Sequence, residues 1–195
     1  MNAFTESLRA WAFHDVGRDE RRARYAVGVV AFALATAFGA QVAVRLPWTP
    51  VPVTLQPLLV ILAGVALGPR LGAISMAAYV GIGALGAPVF SNGGAGLPWL
   101  LGPTGGYLLA APAAAFVAGA VAGRDARSWR LLAGLVLGVT TMYVGGVAQL
   151  LALSGQDLGS VLVMGVTPFI VGDLTKIGLA FFLVRAVRST RGTRS

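Results

Sequence analysis

Residues 167–184, TPFIVGDLTKIGLAFFLV, have the length and apolar character of a membrane-spanning helix, yet they contain Asp173 and Lys176. Each such residue at the centre of a membrane helix costs roughly 2.5–3.5 kcal/mol on the translocon insertion scale. Their i, i+3 spacing puts both on one helix face, within reach of each other. Thr167 is a candidate N-cap and Pro168 a candidate first helical residue. The two charges would then lie roughly 8 and 12 Å below the helix start, at a shallow depth.

Two interpretations of this charge pair remain open. It can be an internal ion pair that only joins helices, or a site for a polar or anionic solute. The second is favoured, because ionisable residues inside a membrane are functional candidates by default.

Composition indicates an all-α integral membrane protein of one domain. The chain has 195 residues, of which 56% are hydrophobic and 11% charged, and its mean hydropathy is +0.78. A soluble domain carries about 25% charged residues. The 27 glycines suit closely packed membrane helices. With no cysteine and a single histidine, His14, in a polar tail, we expect neither a metal site nor a cofactor.

Six apolar segments predict six transmembrane helices. Prolines predict an extended loop after the first segment, and the uncharged, Gly- and Pro-rich residues 88–103 are typical of irregular backbone folded over a cavity. We expect a polar tail over 1–24, a membrane domain over 25–187 and a basic tail over 188–195. The predicted spans are 25–46, 54–67, 71–87, 104–122, 131–153 and 167–184.

The basic residues predict cytoplasmic N and C termini. All 15 Lys and Arg residues except Arg45 and Lys176 lie in the termini or in the loops after spans 2 and 4, which is the pattern of cytoplasmic segments. The net charge of +8 therefore reflects membrane topology, and it does not indicate a nucleic-acid role. The charge pair, the proline loop and residues 88–103 then share the outer side of the membrane, where they predict a pocket open to the exterior.

The chain lacks sequence motifs for nucleotide hydrolysis and for metal-dependent catalysis. There is no GxxxxGK[ST] phosphate loop and no HExxH motif. A proton-coupled pump usually needs several titratable groups in relay, which these spans do not offer. The chain is thus expected to bind a solute without being an enzyme, and energy for uptake would come from a partner.

Three segments together resemble the BioY family. They are TPVPVTLQPLLVILAGVALGPRLGA (49–73), GAPVFSNGGAGLPWLLGPTGGYLL (86–109) and PFIVGDLTK (168–176). The family comprises the biotin-binding S components of energy-coupling factor (ECF) transporters. The resemblance implies a six-helix protein of the bacterial plasma membrane that captures biotin with high affinity from outside, near the outer ends of predicted spans 4–6. It also implies two kinds of partner: a membrane T component of the EcfT or BioN type, and cytoplasmic ATP-binding-cassette ATPases of the BioM type.

The resemblance assigns roles to residues near the predicted pocket. In the family the Asp and Lys of the GDxxK motif contact the ligand, and they match Asp173 and Lys176. An ionised Asp173 accepts hydrogen bonds, which suits the ureido N–H groups of biotin. Lys176 would meet the biotin carboxylate or keep Asp173 ionised. Asn92, in the glycine-rich loop, is either a donor to the ureido carbonyl or a turn-forming residue.

For the carboxylate partner and for the lid, the sequence offers more than one candidate residue. Tyr107 would stack on the ligand ring or mark the membrane interface. Some relatives have a basic residue immediately after this tyrosine, but here it is Leu108, which gives Lys176 or Arg45 more weight as carboxylate partners. Trp48 and Gln56 are candidates for a lid and a lid anchor, although Trp48 is more typical of an interface tryptophan.

The first span carries alanines at small-xxx-small spacing. In S components such a face docks the T component. We expect Ala33 and Ala37 to do so here, although Ala31 and Ala35 fit the spacing equally well.

The remaining alternatives are an S component for another vitamin, such as thiamine or riboflavin, and a membrane enzyme or structural membrane protein. Self-association and contacts with membrane lipid are left open by the sequence.

Overall fold

The computed structural model describes residues 17–123 and 127–192. Expectations about residues 1–16, 124–126 and 193–195 lie outside this part of the chain. The described residues are mostly helical, as expected, with one small hairpin. In chain order the elements are α1 (Arg18–Gln41), β1 (Ala43–Val44), β2 (Val53–Thr54), α2 (Gln56–Leu67), α3 (Pro69–Ala84), a 3-10 turn (Ser91–Gly93), α4 (Gly96–Leu100), α5 (Gly105–Ala122), α6 (Ser128–Ser154), α7 (Leu158–Gly165), a second 3-10 turn (Thr167–Phe169) and α8 (Ile170–Gly192).

Four stretches of the described chain are long and apolar enough to cross a membrane: Asp19–Gln41, Gly105–Ala122, Ser128–Ser154 and Leu158–Arg188. The 12 residues of α2 extend only about 18 Å, and the 16 residues of α3 about 24 Å, whereas the hydrocarbon core is about 30 Å thick. The all-α membrane fold is therefore confirmed, with four helices of full spanning length among the six predicted segments.

The first helix begins and ends earlier than the predicted first span. Helix α1 begins at Arg18 rather than 25 and ends at Gln41 rather than 46. The chain then turns into an antiparallel hairpin in which Ala43 pairs with Thr54. Prolines 47, 50 and 52 lie between the strands, which explains why this connection is extended and not helical.

Backbone-to-backbone packing through small residues holds the helices together. Helix α5 packs against α2, α3 and α6, and α8 packs against α2 and α6. A Cβ at Gly64 would collide with the backbone of Ala115, and one at Gly106 with the backbone of Gly145. Only glycine permits these approaches, so the spacing of α2, α5 and α6 depends on these positions.

Residues 88–103 are more regular than the predicted irregular loop. They contain a 3-10 turn and the short helix α4, and Asn92 adopts a left-handed backbone conformation with φ of 56°. The side chain of Gln41, at the end of α1, donates to the carbonyl of Phe90 (3.0 Å) and accepts from the N–H of Gly93 (3.1 Å). This contact fixes the segment to α1.

The start of the last helix also differs from the prediction. Thr167 opens a 3-10 turn and makes no capping hydrogen bond, and its hydroxyl instead donates to the carbonyl of Leu162. Helix α8 begins at Ile170, so Asp173 lies in its first turn.

Candidate ligand-binding site

A cavity of about 600 Å³, including the open space at its mouth, lies among α2, α5, α6, α8 and the hairpin. Its walls are mainly apolar, with a few hydroxyl, amide and charged groups. The lining residues are Val51, Pro52, Thr54, Gln56, Pro57, Ser91, Thr104, Tyr107, Leu108, Val139, Met142, Tyr143, Phe169, Asp173 and Lys176.

The two intramembrane charges form a buried ion pair at the wall of this cavity. Lys176 Nζ lies 2.6 Å from Asp173 Oδ1, and the two residues are 8% and 3% exposed. The i, i+3 contact expected from the sequence is thus confirmed. Because Asp173 is in the first turn of α8, the positive end of the helix macrodipole also stabilises its negative charge.

Tyr143, on α6, is the partner of this pair that sequence reasoning missed. Its hydroxyl donates to Asp173 Oδ2 at 2.6 Å. The sequence does show that a tyrosine lies within an apolar span, which marks it as a candidate polar group of the site. Its pairing with Asp173, 30 positions away, depends on how α6 and α8 face each other.

Tyr107 lies at the cavity wall but its hydroxyl is already bound. It donates to the carbonyl of Gly165 at 2.6 Å and so ties α5 to the end of α7. The ring packs closely on Gly146 of α6, where a Cβ would collide with it. One face of the ring can therefore contact a ligand in the cavity, while the hydroxyl is engaged in joining α5 to α7. Leu108 adds a buried apolar side chain beside it.

Gln56 is buried at the first position of α2, where it joins the hairpin to the segment after α3. Its Nε2 donates to the Tyr79 hydroxyl at 2.7 Å, and that hydroxyl donates to the carbonyl of Val89. Thr54 in turn donates to Gln56 Oε1 at 3.0 Å. Gln56 therefore connects the hairpin to α3 and, through Tyr79, to the segment after it.

A second cavity of about 700 Å³, again including open space, adjoins the first. Both are lined by Pro52 and Thr104. The second is formed by the hairpin loop and residues 92–104, and its lining is Arg45, Leu46, Thr49, Pro50, Pro52, Asn92, Trp99 and Thr104. Asn92 and Arg45 thus lie together, but away from the Asp173 cavity. The neighbour of Asn92, Ser91, lines the first cavity instead.

The other predicted residues lie outside both cavities. Trp48, at the tip of the hairpin, is 62% exposed and lines neither. Ala33 is 8% exposed and packs with Tyr79 and Val80 of α3, and Ala37 is partly buried against the same cluster. Both alanines therefore face the bundle. Ala31 and Ala35 lie on or near the outward side of α1.

No group of three or more His, Cys, Asp or Glu side chains that could hold a metal ion occurs in residues 17–123 and 127–192.

Comparisons with known proteins agree with this architecture. The sequence model of the BioY family matches residues 12–193. The "Probable biotin transporter BioY" of Pyrococcus horikoshii is 40% identical over 160 residues, covering 82% of this chain and 93% of that protein. The "Biotin transporter BioY" of Thermotoga maritima is 38% identical over 138 residues, covering 70% and 80%.

A solved structure has the same fold. It is the crystal structure of the S-component for biotin from an ECF-type ABC transporter. The two structures have a TM-score of 0.79 at 25% sequence identity, over 89% of this chain and 95% of that one. The match extends over nearly the whole of both chains, and with the sequence comparisons it leads to one conclusion: the chain belongs to the BioY family.

Proposed function

We propose that this protein is the biotin-binding S component of an ECF-type transporter and binds biotin in the Asp173 cavity. The relatives are named biotin transporters, and the similar structure is a biotin S-component. These names do not favour thiamine or riboflavin. Membership in a family of transporters also confirms that the chain is not an enzyme.

The assignment of the site rests on the hydrogen-bond acceptor positions of Asp173 that no protein group in the described residues uses. An ionised carboxylate has about four acceptor positions on two oxygens. Lys176 uses one on Oδ1 and Tyr143 uses one on Oδ2. About two remain, which is the number needed for the two ureido N–H groups of biotin. Lys176 pairs with the carboxylate, and Tyr143 holds its orientation.

The ureido carbonyl needs donors, and two hydroxyls in the cavity are unused. Ser91 and Thr104 line it, and their side chains make no hydrogen bond within the described residues. We assign the carbonyl to these hydroxyls rather than to Asn92, which lines the other cavity. Val139, Met142 and Phe169 offer apolar surface to the thioether ring.

The same family membership supports the arrangement in the membrane and the partners. The protein crosses the bacterial plasma membrane six times, with α2 and α3 as the two short spans and both termini cytoplasmic. It works with a membrane T component and cytoplasmic ATP-binding-cassette ATPases. The outward side of α1 carries Ala31 and Ala35, flanked by the exposed Val27, Leu34 and Phe38. It is the docking face, since Ala33 is buried and Ala37 partly buried in the cluster that α1 forms with α3.

A titration of the detergent-purified chain with biotin, without ATP, tests the function. Asp173→Asn is expected to weaken binding by about 1.5–3 kcal/mol, the range for a hydrogen bond to a charged group. Asp157→Asn is the matched control, because Asp157 is an exposed carboxylate at the start of α7. Unchanged affinity in Asp173→Asn would remove this residue from the site. Displacement of bound ligand by thiamine or riboflavin but not by biotin would reject biotin as the substrate.

A further inference from the structure

We propose that the carboxylate of the bound ligand lies in the second cavity, against Arg45 and Trp99, while its uncharged polar head occupies the Asp173 cavity. This inference rests on the proposed function, because it concerns how one biotin molecule occupies both cavities.

The first step is the state of Lys176. It is one of two cationic side chains that line the cavities in the described chain, and Arg45 is the other. Lys176 Nζ is 2.6 Å from Asp173 Oδ1, so the pair has no net charge. A ligand carboxylate at Lys176 would also lie a few ångströms from the Asp173 carboxylate, and like charges at that distance repel.

The second step is the state of Arg45. Among the described residues, the ion pair of Lys176 and Asp173 is the only one, so Arg45 has no acidic partner there. Its guanidinium can bind a carboxylate through two parallel hydrogen bonds. Arg45 immediately follows β1, and the hairpin also contributes Pro52, which lines both cavities. A ligand that passes Pro52 and Thr104 can therefore contact both.

The third step is an unpaired donor beside Arg45. Trp99 lines the second cavity, and its indole N–H is buried without an acceptor among the described residues. Its ring is packed against Gly94. A buried N–H without a partner is unfavourable, and an oxygen of a bound anion that came within reach of it would supply the missing acceptor.

Ligand variants on the unmodified protein test the inference without any mutation. We expect biotin to bind at least 10-fold more tightly than biotinamide or biotin methyl ester, which lack the negative charge. Raising the salt concentration should weaken biotin binding and leave biotinamide binding unchanged, because Arg45 is exposed and its charge is screened. Equal affinities for biotin and biotinamide would overturn the inference but leave the proposed function intact. Failure to bind either ligand would reject both.

Two variants then locate the carboxylate. Arg45→Gln is expected to weaken biotin about 5- to 10-fold, and Trp99→Phe, which keeps an aromatic ring but removes the N–H, roughly 10-fold. Both should leave biotinamide affinity within about 2-fold. Arg70→Gln is the control, because Arg70 is exposed and lines neither cavity. Equal weakening of biotin and biotinamide by Arg45→Gln, or no effect on biotin, would overturn the assignment. An unchanged biotin affinity in Trp99→Phe would remove Trp99 from it.

Discussion

The two cavities differ most in the surroundings of their charged groups. In the first, Asp173 and Lys176 are buried, paired at 2.6 Å, and located on one turn of one helix. In the second, Arg45 is exposed, follows a two-residue strand, and has no acidic partner in the described residues. A buried pair is held in one geometry before a ligand arrives, whereas an exposed side chain must be ordered by the ligand.

This difference predicts that the first cavity contributes to the stability of the protein and the second mainly to its selectivity. Breaking a buried pair leaves an uncompensated charge away from water, at a cost of about 3–5 kcal/mol. Removing an exposed, unpaired charge costs little, since surface substitutions usually change stability by about 0.5 kcal/mol or less.

The largest effect is expected for Lys176→Met. The variant should lose about 3–5 kcal/mol of stability because Asp173 keeps a buried charge with only Tyr143 as partner. Thermal unfolding in detergent measures the loss, with Arg45→Met as the matched variant of the second cavity. The double variant Asp173→Asn/Lys176→Met should recover part of the stability. Equal unfolding temperatures for Lys176→Met and Arg45→Met would contradict the predicted difference in stability between the two cavities.

A smaller effect is expected for Tyr143→Phe, which removes the 2.6 Å hydrogen bond to Asp173 Oδ2 and keeps the ring. The loss should be about 1.5–3 kcal/mol, shared between protein stability and biotin affinity. Titration and unfolding of the same sample separate the two parts. Tyr25→Phe is the control, because Tyr25 lies on the exposed side of α1. If neither quantity changes, Tyr143 does not hold the carboxylate in place.

The second cavity can be tested through the residue that holds its wall. Gln41→Leu removes the two hydrogen bonds to Phe90 and Gly93, together with a longer one to the carbonyl of Ala37 within α1, at an expected cost of about 1 kcal/mol. Hydrogen exchange at the amide of Gly93 should become faster, while exchange in α8 stays the same. Gln156→Leu, at an exposed loop position, is the control. Faster exchange throughout the chain would mean that Gln41 supports the whole fold and not this wall alone.

The smallest effect concerns Asp157, an exposed carboxylate to compare with the buried Asp173. The hydroxyl and the backbone N–H of Ser160 donate to it and hold its pKa below the usual value. Because the folded-state pKa is depressed, its contribution to stability is present above the unfolded pKa of about 3.9 and is lost as the pH falls through the folded pKa. The difference in unfolding temperature between the wild type and Asp157→Asn should therefore shrink as the pH is lowered below about 4. A difference that does not vary with pH would contradict this origin.

Sequence patterns predicted those parts of the site that depend on local geometry. The i, i+3 spacing of Asp173 and Lys176 is a property of one helix, so their contact followed once that helix was recognised. The prolines at 47, 50 and 52 likewise predicted an extended connection, which is the hairpin loop. Helix α1 ends five residues before the predicted span does, because residues 42–46 are apolar enough to continue a helix and only the pairing of Ala43 and Val44 with β2 makes the chain extended there.

Contacts between distant segments could not be predicted in this way. Whether an alanine of α1 faces the bundle or the membrane depends on the rotation of the whole helix, and the spacing of Ala31, Ala33, Ala35 and Ala37 fits either side. The structure turns Ala33 and Ala37 toward α3. Two adjacent residues, Ser91 and Asn92, line different cavities because the left-handed conformation at Asn92 redirects the chain there.

The sequence by itself determined that this is a helical membrane protein with a charge pair in its last span, and its motifs indicated the family. These features follow from composition and from spacing within single segments. Only the tertiary structure decided that Tyr143 completes the pair, that Gln56 joins the hairpin to α3 through Tyr79, and that Arg45 lies in a second cavity beside Trp99. Each of these depends on which faces of separate segments meet, and that is set by close packing of the helices at glycine and alanine, not by the periodicity of any one of them.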